Sequence, residues 1–188
     1  MIKKLVINID MINGFVKEGS LSAPSIMRIV PRQLEILDAA RNNPAVEIID
    51  IRDCHTDDSI EFKTFGIHAV DGTPEVEQID ELKGYADRVF YKNSTNLIFA
   101  PGLQEYLLNN KTSLKRVEIM GCLSEICVLN GGIGLRTFFD QNNMDVEVCV
   151  HRDAIDTYDA PGHDADLVTE QATNMMKANG IKVLRKER

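Results

Sequence analysis

Several features that would narrow the function of a protein are missing from this chain. Its four cysteines include no Cys-x-x-Cys pair, no basic run stands out, and no apolar stretch is long enough to span a bilayer. With 29 acidic and 21 basic side chains the formal net charge is -8, which disfavours binding to nucleic acid or anionic membrane. The sequence also lacks the long apolar segment and cleavage site of a secretory signal. We therefore expect a cytoplasmic protein with no nucleic-acid or membrane partner.

The cysteines themselves are scattered along the chain. In a reducing compartment such thiols are expected to be free rather than paired. Cys122 and Cys149 fall within apolar runs typical of strands, where a thiol packs as a small hydrophobic side chain. Cys127 instead lies beyond the end of such a run, and Cys54 lies in a polar segment.

Short apolar, β-branched runs alternate with longer segments of helical periodicity. The runs at 5–9, 46–51, 89–91, 117–120, 146–150 and 181–184 predict six strands. Residues 26–40, 103–109, 125–140 and 165–178 predict helices, the first interrupted by Pro31 and the last followed by Gly180. This alternation is typical of an α/β fold in three layers, a mostly parallel six-stranded sheet with helices on both faces. Without a linker or repeat, residues 1–188 are expected to form a single domain.

Charged side chains stand at the ends of two predicted strands, where parallel sheets gather their chemistry. Asp10 ends the first strand and Lys92 ends the third. Taken alone, Asp10 could cap the turn that follows it, and Lys92 could be a solvated surface cation. Together with a thiol, they would supply a general base and a stabilising cation to one cleft.

The thiol that could join them is Cys127. The strand at 117–120 leads through Gly121 into a segment that predicts a tight turn with Ser124 as the helix N-cap. Cys127 would then lie in the first helical turn, where free backbone N–H groups and the helix dipole favour a thiolate and could hold an oxyanion. Taken alone, a cysteine at this position is more often a buried structural residue.

A second group of side chains combines nitrogen and oxygen donors. Asp53 and His55 lie two residues apart on an extended segment, so both point to the same side. Glu61 and His68 follow within the long polar stretch 52–88, which is expected to be functional or to contain further structure. Such donors suit zinc, iron or manganese, although an Asp-x-His pair alone is more often part of a polar loop.

Three motifs taken together resemble the isochorismatase-like cysteine hydrolases and, within them, the nicotinamidase/pyrazinamidase branch. They are Leu5-Val-Ile-Asn-Ile-Asp10 with Phe15 beyond it, Val89-Phe-Tyr-Lys92, and Gly121-Cys-Leu-Ser-Glu-Ile-Cys127. The resemblance continues through Asp153-Ala154 and covers essentially the whole chain. It implies Asp10, Lys92 and Cys127 as the catalytic trio. It also implies a cis peptide bond between Cys122 and Leu123, with the amides of Leu123 and Cys127 forming the oxyanion hole.

The resemblance further implies a divalent metal, zinc first and iron or manganese as alternatives. Asp53, His55 and His68 would bind it, with Glu61 as the expected fourth ligand and Ser59 as the competing one. Phe15 and Phe65 fall where the family stacks aromatic side chains on a pyridine ring. Because family members are often oligomeric, a homo-oligomer that acts on a small amide is expected.

The implied reaction converts nicotinamide to nicotinate and ammonia through a cysteine thioester, a step of NAD salvage. The main alternative is a metal-free cysteine hydrolase of the same family that acts on another amide, a ureide or an isochorismate-like substrate. Two other possibilities stay open: a catalytically silent binding module, and a zinc hydrolase in which the metal activates water.

Overall fold

Six strands form one sheet in the order β3-β2-β1-β4-β5-β6. The structure, a computed structural model, describes residues 1–186, so positions 187 and 188 of the predicted domain lie outside the described residues. The strands are β1 (Lys4–Ile9), β2 (Val46–Asp53), β3 (Arg88–Lys92), β4 (Arg116–Cys122), β5 (Glu147–Asp156) and β6 (Lys182–Leu184). Every neighbouring pair is parallel, which confirms the predicted α/β sheet. The strand order reverses between β1 and β4, the place where open parallel sheets bind ligands.

Helices cover both faces of this sheet. They are α1 (Asn13–Val16), α2 (Val30–Arg41), α3 (Phe62–Phe65), α4 (Leu103–Asn109), α5 (Leu129–Gln141) and α6 (Ala165–Ala178). Leu5, Ile7 and Ile9 of β1 pack in one apolar cluster with α4, α5 and α6. Val6 of the same strand packs in a second cluster with α2, because successive side chains of a strand point to opposite faces. In the described residues no helix is both long enough and apolar enough to cross a membrane.

Two helices begin differently from the sequence prediction. Pro24–Ile29 is a 3₁₀ helix and α2 begins only at Val30, so Pro31 lies in the first turn, where a missing N–H costs nothing. The segment Ser124–Val128 is a π-helical turn that precedes α5. The prediction of Ser124 as an N-cap was wrong, because the buried hydroxyl instead accepts a hydrogen bond from Thr169 Oγ1 at 3.0 Å.

The stretch 52–88 contains structure that its weak periodicity did not reveal. It includes α3, two short 3₁₀ helices at Pro74–Val76 and Asp80–Leu82, and an isolated bridge between His55 and Val70. Strand β5 likewise extends to Asp156, six residues beyond the predicted end, after a register shift against β4. These segments bring polar side chains to the carboxyl edge of the sheet.

Candidate active site and metal centre

Asp10 is held at the end of β1 in a rarely populated backbone conformation. Its φ of 54° lies in the left-handed region, which is uncommon for non-glycine residues and is over-represented at active sites. The Asp10 amide donates to the Ile51 carbonyl at 2.8 Å, and the Asp10 carbonyl accepts from the Cys122 thiol at 3.1 Å. Its Oδ1 accepts from the Asp53 amide at 2.9 Å. Contacts from β2 and β4 thus fix the backbone and the carboxylate of this buried residue.

Lys92 brings a cation to the same point from the end of β3. Its side chain is buried, and its Nζ lies 2.8 Å from Asp10 Oδ2 and forms a second ion pair with Asp53 Oδ1. The same Nζ lies 3.6 Å from Cys127 Sγ. The structure therefore brings together the acid, the cation and the thiol that the sequence placed at separate strand ends.

Cys127 lies within the π-helical turn Ser124–Val128. The peptide bond between Cys122 and Leu123 is cis, as the resemblance implied. The Leu123 carbonyl accepts from the amides of Ile126 and Val128, each at 3.1 Å. Within residues 1–186, the Cys127 amide between these two donors makes no hydrogen bond to that carbonyl. This geometry is compatible with the predicted oxyanion hole at Leu123 and Cys127, and π turns recur at functional sites.

Burial controls the protonation of the trio. Burial, reinforced by the negative charge of Asp53, raises the pKa of Asp10 to about 7, while Lys92 offsets part of the rise. Burial also raises the pKa of the Cys127 thiol well above its usual value, and the charge of Lys92 offsets only part of that increase. The pKa of Lys92 is raised despite its burial, because Asp10 and Asp53 both favour the ammonium.

These directions differ from the thiolate expected at a helix N-terminus. The resting thiol is neutral, because the loss of hydration and the two neighbouring carboxylates outweigh the favourable contribution of Lys92. Asp10 retains a pKa at which it can accept a proton near neutral pH. The site is therefore arranged for proton transfer from Cys127 to Asp10 during attack on a substrate.

Four further side chains bring donor atoms together beside the trio. One ligand atom each from Asp53, His55, Glu61 and His68 lies within 4.8 Å of all the others. The Nε2 atoms of His55 and His68 are 3.1 Å apart. Glu61 Oε2 lies 3.3 Å from His55 Nε2, and Asp53 Oδ2 lies 3.7 Å from the same nitrogen. This group is a candidate metal centre.

The hydrogen bonds around the two imidazoles show that this donor set fits a cation. His55 Nδ1 lies 2.7 Å from Asn93 Oδ1, and His68 Nδ1 lies 2.8 Å from the Gly66 carbonyl oxygen. Both oxygens can only accept, so in the neutral rings each Nδ1 carries hydrogen and each Nε2 presents a lone pair. Two lone pairs therefore face each other, and the buried Glu61 Oε2 has no hydrogen-bond partner in the described residues. A divalent metal would satisfy these atoms.

Ser59, the competing fourth ligand, lies on the other side of the His55 ring. Its Oγ is 3.3 Å from Nδ1, the nitrogen that faces away from the donor cluster. Glu61 instead faces Nε2, and its second oxygen accepts from the Thr95 amide at 3.0 Å. The geometry therefore favours Glu61 over Ser59 as the fourth ligand.

A cavity of about 30 Å³ joins the thiol to the donor cluster. It is lined by Phe15, Leu21, Asp53, Glu61, Phe65, His68, Thr95, Leu123, Ile126 and Cys127. The ring centroids of Phe15 and Phe65 lie 5.6 and 6.4 Å from that of His68. Both aromatic residues expected at the substrate therefore lie at this cavity.

Some residues around the site had no signal in the sequence. Leu21 and Ile126 are ordinary apolar residues that resemble core positions, and Phe62, 5.8 Å from the His68 ring, lies in a helix too short to predict. Asn93 and Thr95 lie one and three residues after Lys92, and this proximity to a strand end could have identified them. Polar residues after a strand are so common, however, that the signal is weak.

Two open clefts, of about 570 and 670 Å³, flank the cavity. Both share Phe65 and Ile126 with it. Within residues 1–186 no lysine or arginine lines the cavity or either cleft, whereas Glu61, Glu125 and Asp159 contribute carboxylates. The entrance to Cys127 is therefore acidic.

Comparison with known proteins identifies the class. The Isochorismatase domain family matches residues 4–187, and the chain belongs to this family of isochorismatase-like hydrolases. The expected family is thereby confirmed. No curated protein is significantly similar in sequence.

Solved structures are similar over nearly the full length of the chain. An isochorismatase-like hydrolase from Alkaliphilus metalliredigens has a TM-score of 0.80 at 23% identity, covering 97% of this chain and 94% of the other. Pyrazinamidase of Pyrococcus horikoshii, in complex with zinc, has a TM-score of 0.78 at 25% identity, with coverages of 98% and 99%. N-carbamoylsarcosine amidase from Thermoplasma acidophilum has a TM-score of 0.77 at 22% identity, with coverages of 100% and 98%. These similarities agree on the fold and include enzymes with different amide substrates.

Proposed function

We propose that this chain hydrolyses nicotinamide to nicotinate and ammonia through a thioester on Cys127. One observation carries the proposal: Asp53, Glu61 and His68 of the donor cluster line the same small cavity as the Cys127 thiol. A ring nitrogen and a carboxamide carbon in one small molecule could reach both groups together once the side chains that line the cavity move apart, because about 30 Å³ holds only one or two waters. Similarity to a pyrazinamidase in complex with zinc supports this assignment.

The charge of the entrance supports a neutral substrate. In the flanking clefts, a carboxylate-bearing amide or an isochorismate-like dianion would meet Glu125 and Asp159, and no lysine or arginine among residues 1–186 lines those clefts to pair with it. Lys92 cannot serve this purpose, because it is buried and already paired with Asp10 and Asp53. A neutral aromatic amide avoids this repulsion and suits the apolar walls formed by Phe15 and Phe65.

In the first half of the proposed mechanism, Asp10 accepts the proton of the Cys127 thiol as sulfur attacks the carboxamide carbon. The amides of Leu123 and Cys127 donate to the oxyanion that forms. Asp10 then gives the proton to the departing nitrogen, and the C–N bond breaks to release ammonia. The product of this half is a thioester on Cys127.

In the second half, Asp10 removes a proton from water, and the hydroxide formed attacks the thioester carbonyl. The carbon–sulfur bond breaks, the proton on Asp10 passes to Cys127 sulfur, and nicotinic acid leaves and loses its own proton to solvent as nicotinate. Lys92 stays protonated throughout and keeps Asp10 oriented through the 2.8 Å ion pair. Its charge also stabilises the transient thiolate 3.6 Å away.

Asp53, His55, Glu61 and His68 would hold a divalent metal, which we propose to be zinc, with iron or manganese as alternatives. When bound, the metal supplies a Lewis-acid contact for the ring nitrogen and so orients the carboxamide. Phe15 and Phe65 exclude water from the ring and limit its rotation. Asp53 also pairs with Lys92 through Oδ1. One carboxylate therefore belongs both to the donor cluster and to the surroundings of the catalytic lysine.

The test is ammonia release from nicotinamide by purified protein, with the zinc content of the same sample measured. We expect turnover with about one zinc per chain, and we expect Cys127→Ala to lose at least about a thousandfold in kcat. Cys149→Ala is the matched control, because this cysteine is also buried but lies in β5 outside the cavity. Turnover that survives Cys127→Ala would instead favour metal-activated water.

Other outcomes discriminate between the remaining candidates. A sample that contains no metal and ignores nicotinamide, but cleaves another amide or a ureide, would identify a metal-free cysteine hydrolase. Binding of nicotinamide without ammonia release at any metal content would indicate a silent binding module. Efficient cleavage of an anionic N-carbamoyl amino acid would contradict the inference from the acidic entrance.

A further inference from the structure

One short segment, residues 92–95, contacts both the catalytic trio and the donor cluster. Lys92 pairs with Asp10 and Asp53. The next residue, Asn93, places its Oδ1 2.7 Å from His55 Nδ1. The Thr95 amide, two residues further on, donates to Glu61 Oε1 at 3.0 Å. Three of these four residues therefore hold a carboxylate pair, an imidazole and a third carboxylate.

The register of the sheet explains this arrangement. Strands β2 and β3 are parallel, with Asp53 opposite Lys92, and the Cys54 amide donates to the Lys92 carbonyl at 2.9 Å. The two chains continue side by side beyond the strand ends. Asn93 and His55 consequently become neighbours.

His55 depends on a side chain for its orientation, whereas His68 does not. The Nδ1 partner of His68 is the carbonyl oxygen of Gly66, two residues away on its own loop. The Nδ1 partner of His55 is the Asn93 amide oxygen, which comes from another strand end. The Ser59 hydroxyl, 3.3 Å from the same nitrogen, is more distant and can donate as well as accept, so it does not fix the tautomer.

We propose that Asn93 is a positioning residue for the metal centre, and that its amide oxygen keeps the hydrogen of His55 on Nδ1 and the Nε2 lone pair directed at the metal. The inference rests on the proposed function only through the metal and is independent of the amide that is cleaved. Without this acceptor, the imidazole can rotate or carry its hydrogen on Nε2, and both changes weaken coordination. Loss of such a partner typically reduces metal affinity 10- to 100-fold.

The experiment measures zinc affinity of metal-stripped protein by competition with a chromogenic chelator, together with the visible spectrum of the cobalt-loaded form. We expect Asn93→Leu, which has a similar size but no acceptor, to bind zinc about 10- to 100-fold more weakly and to change the cobalt bands. Asn93→Asp restores an acceptor and should return the affinity to within about threefold of the wild type. Ser94→Ala is the matched control, because its hydroxyl makes only a 3.5 Å contact with the Asn96 carbonyl.

Metal binding tests this inference, and ammonia release tests the proposed function. Wild-type zinc affinity and cobalt bands in Asn93→Leu would overturn it, as would equal losses in the Leu and Asp variants, which would indicate a merely structural role. Should the Leu variant fail to fold, as judged by circular dichroism, Asn93→Ala replaces it. A wild-type protein that binds no zinc also overturns the inference, while ammonia release from nicotinamide decides the proposed function separately.

Discussion

Lys92 illustrates how much a single residue stabilises in this site. Its buried ammonium lies between the carboxylates of Asp10 and Asp53, so replacement by Met leaves two buried carboxyl groups without their cation. We expect Lys92→Met to lower the free energy of unfolding by about 3–5 kcal/mol, measured with urea at pH 8. Lys17→Met should cost less than about 1 kcal/mol, since its partners Asp80 and Glu81 are solvent-exposed. Equal losses in the two variants would contradict this reasoning.

Glu118 shows how a carboxylate within an apolar strand can be stabilised by its partners. Burial alone would raise its pKa, but a hydrogen bond from His151 at 3.0 Å and nearby basic side chains outweigh burial and lower the pKa to about 2. A depressed pKa means that ionised Glu118 stabilises the fold above about pH 4.5, and that this contribution is lost as the pH falls through 2.

Glu118→Gln tests this pH dependence. Above about pH 5 the variant should be less stable than the wild type by up to about 3 kcal/mol. The difference should shrink steadily between pH 4.5 and 2, because the wild-type carboxylate is protonated there. The difference in the free energy of unfolding is measured by chemical unfolding of both proteins at a series of pH values. A difference that stays constant with pH would show that packing, and not ionisation, is responsible.

At the scale of whole elements, the close approach of β1 and β4 depends on Gly121. This residue lies opposite Ile9 with a φ of 127°, and an added Cβ would overlap the Ile9 carbonyl. We expect Gly121→Ala to destabilise the fold by about 3 kcal/mol or more, at the upper end for overpacking. Gly72→Ala is the control: its φ of 77° is also positive, but open space surrounds the new methyl group, so strain of about 1–2 kcal/mol is expected. Similar unfolding midpoints for the two variants would contradict the prediction.

Elements with a strong local signal were predictable, and those set by distant contacts were not. All six strands arise from β-branched apolar runs, and α6 occupies Ala165–Ala178 as its periodicity predicted. The π turn around Cys127 was not predictable, because the Ser124 hydroxyl is engaged by Thr169, 45 residues later. The extension of β5 was hidden by polar residues that follow a register shift.

The same distinction applies to the site. Asp10, Lys92 and Cys127 could be placed near one another because the carboxyl ends of parallel strands meet at one edge. Their protonation could not be predicted, since it depends on complete burial and on the charge of Asp53 beside them. Asn93 was missed because its role follows from the register of two strands rather than from a pattern in the sequence.

For the whole molecule, the alternation of strands and helices predicted the architecture, and the motifs predicted the family. Compartment and oligomeric state stay predictions, because they depend on signals and surfaces that a single folded chain does not define. Sedimentation velocity would test the expected homo-oligomer. The net charge of -8 predicted an acidic molecule, but not that its carboxylates would line the entrance to Cys127.

That acidic entrance has a consequence for chemical labelling of the nucleophile. Iodoacetamide is neutral and iodoacetate is anionic, and both alkylate thiols by the same substitution. We expect the ratio of the iodoacetamide rate to the iodoacetate rate to be about tenfold higher at Cys127 than at the thiol of glutathione. Mass spectrometry of the Cys127 peptide measures both rates. Glu125→Gln should reduce this preference, and a ratio equal to that of glutathione would contradict it. Covalent probes and inhibitors for this enzyme should accordingly carry neutral electrophiles.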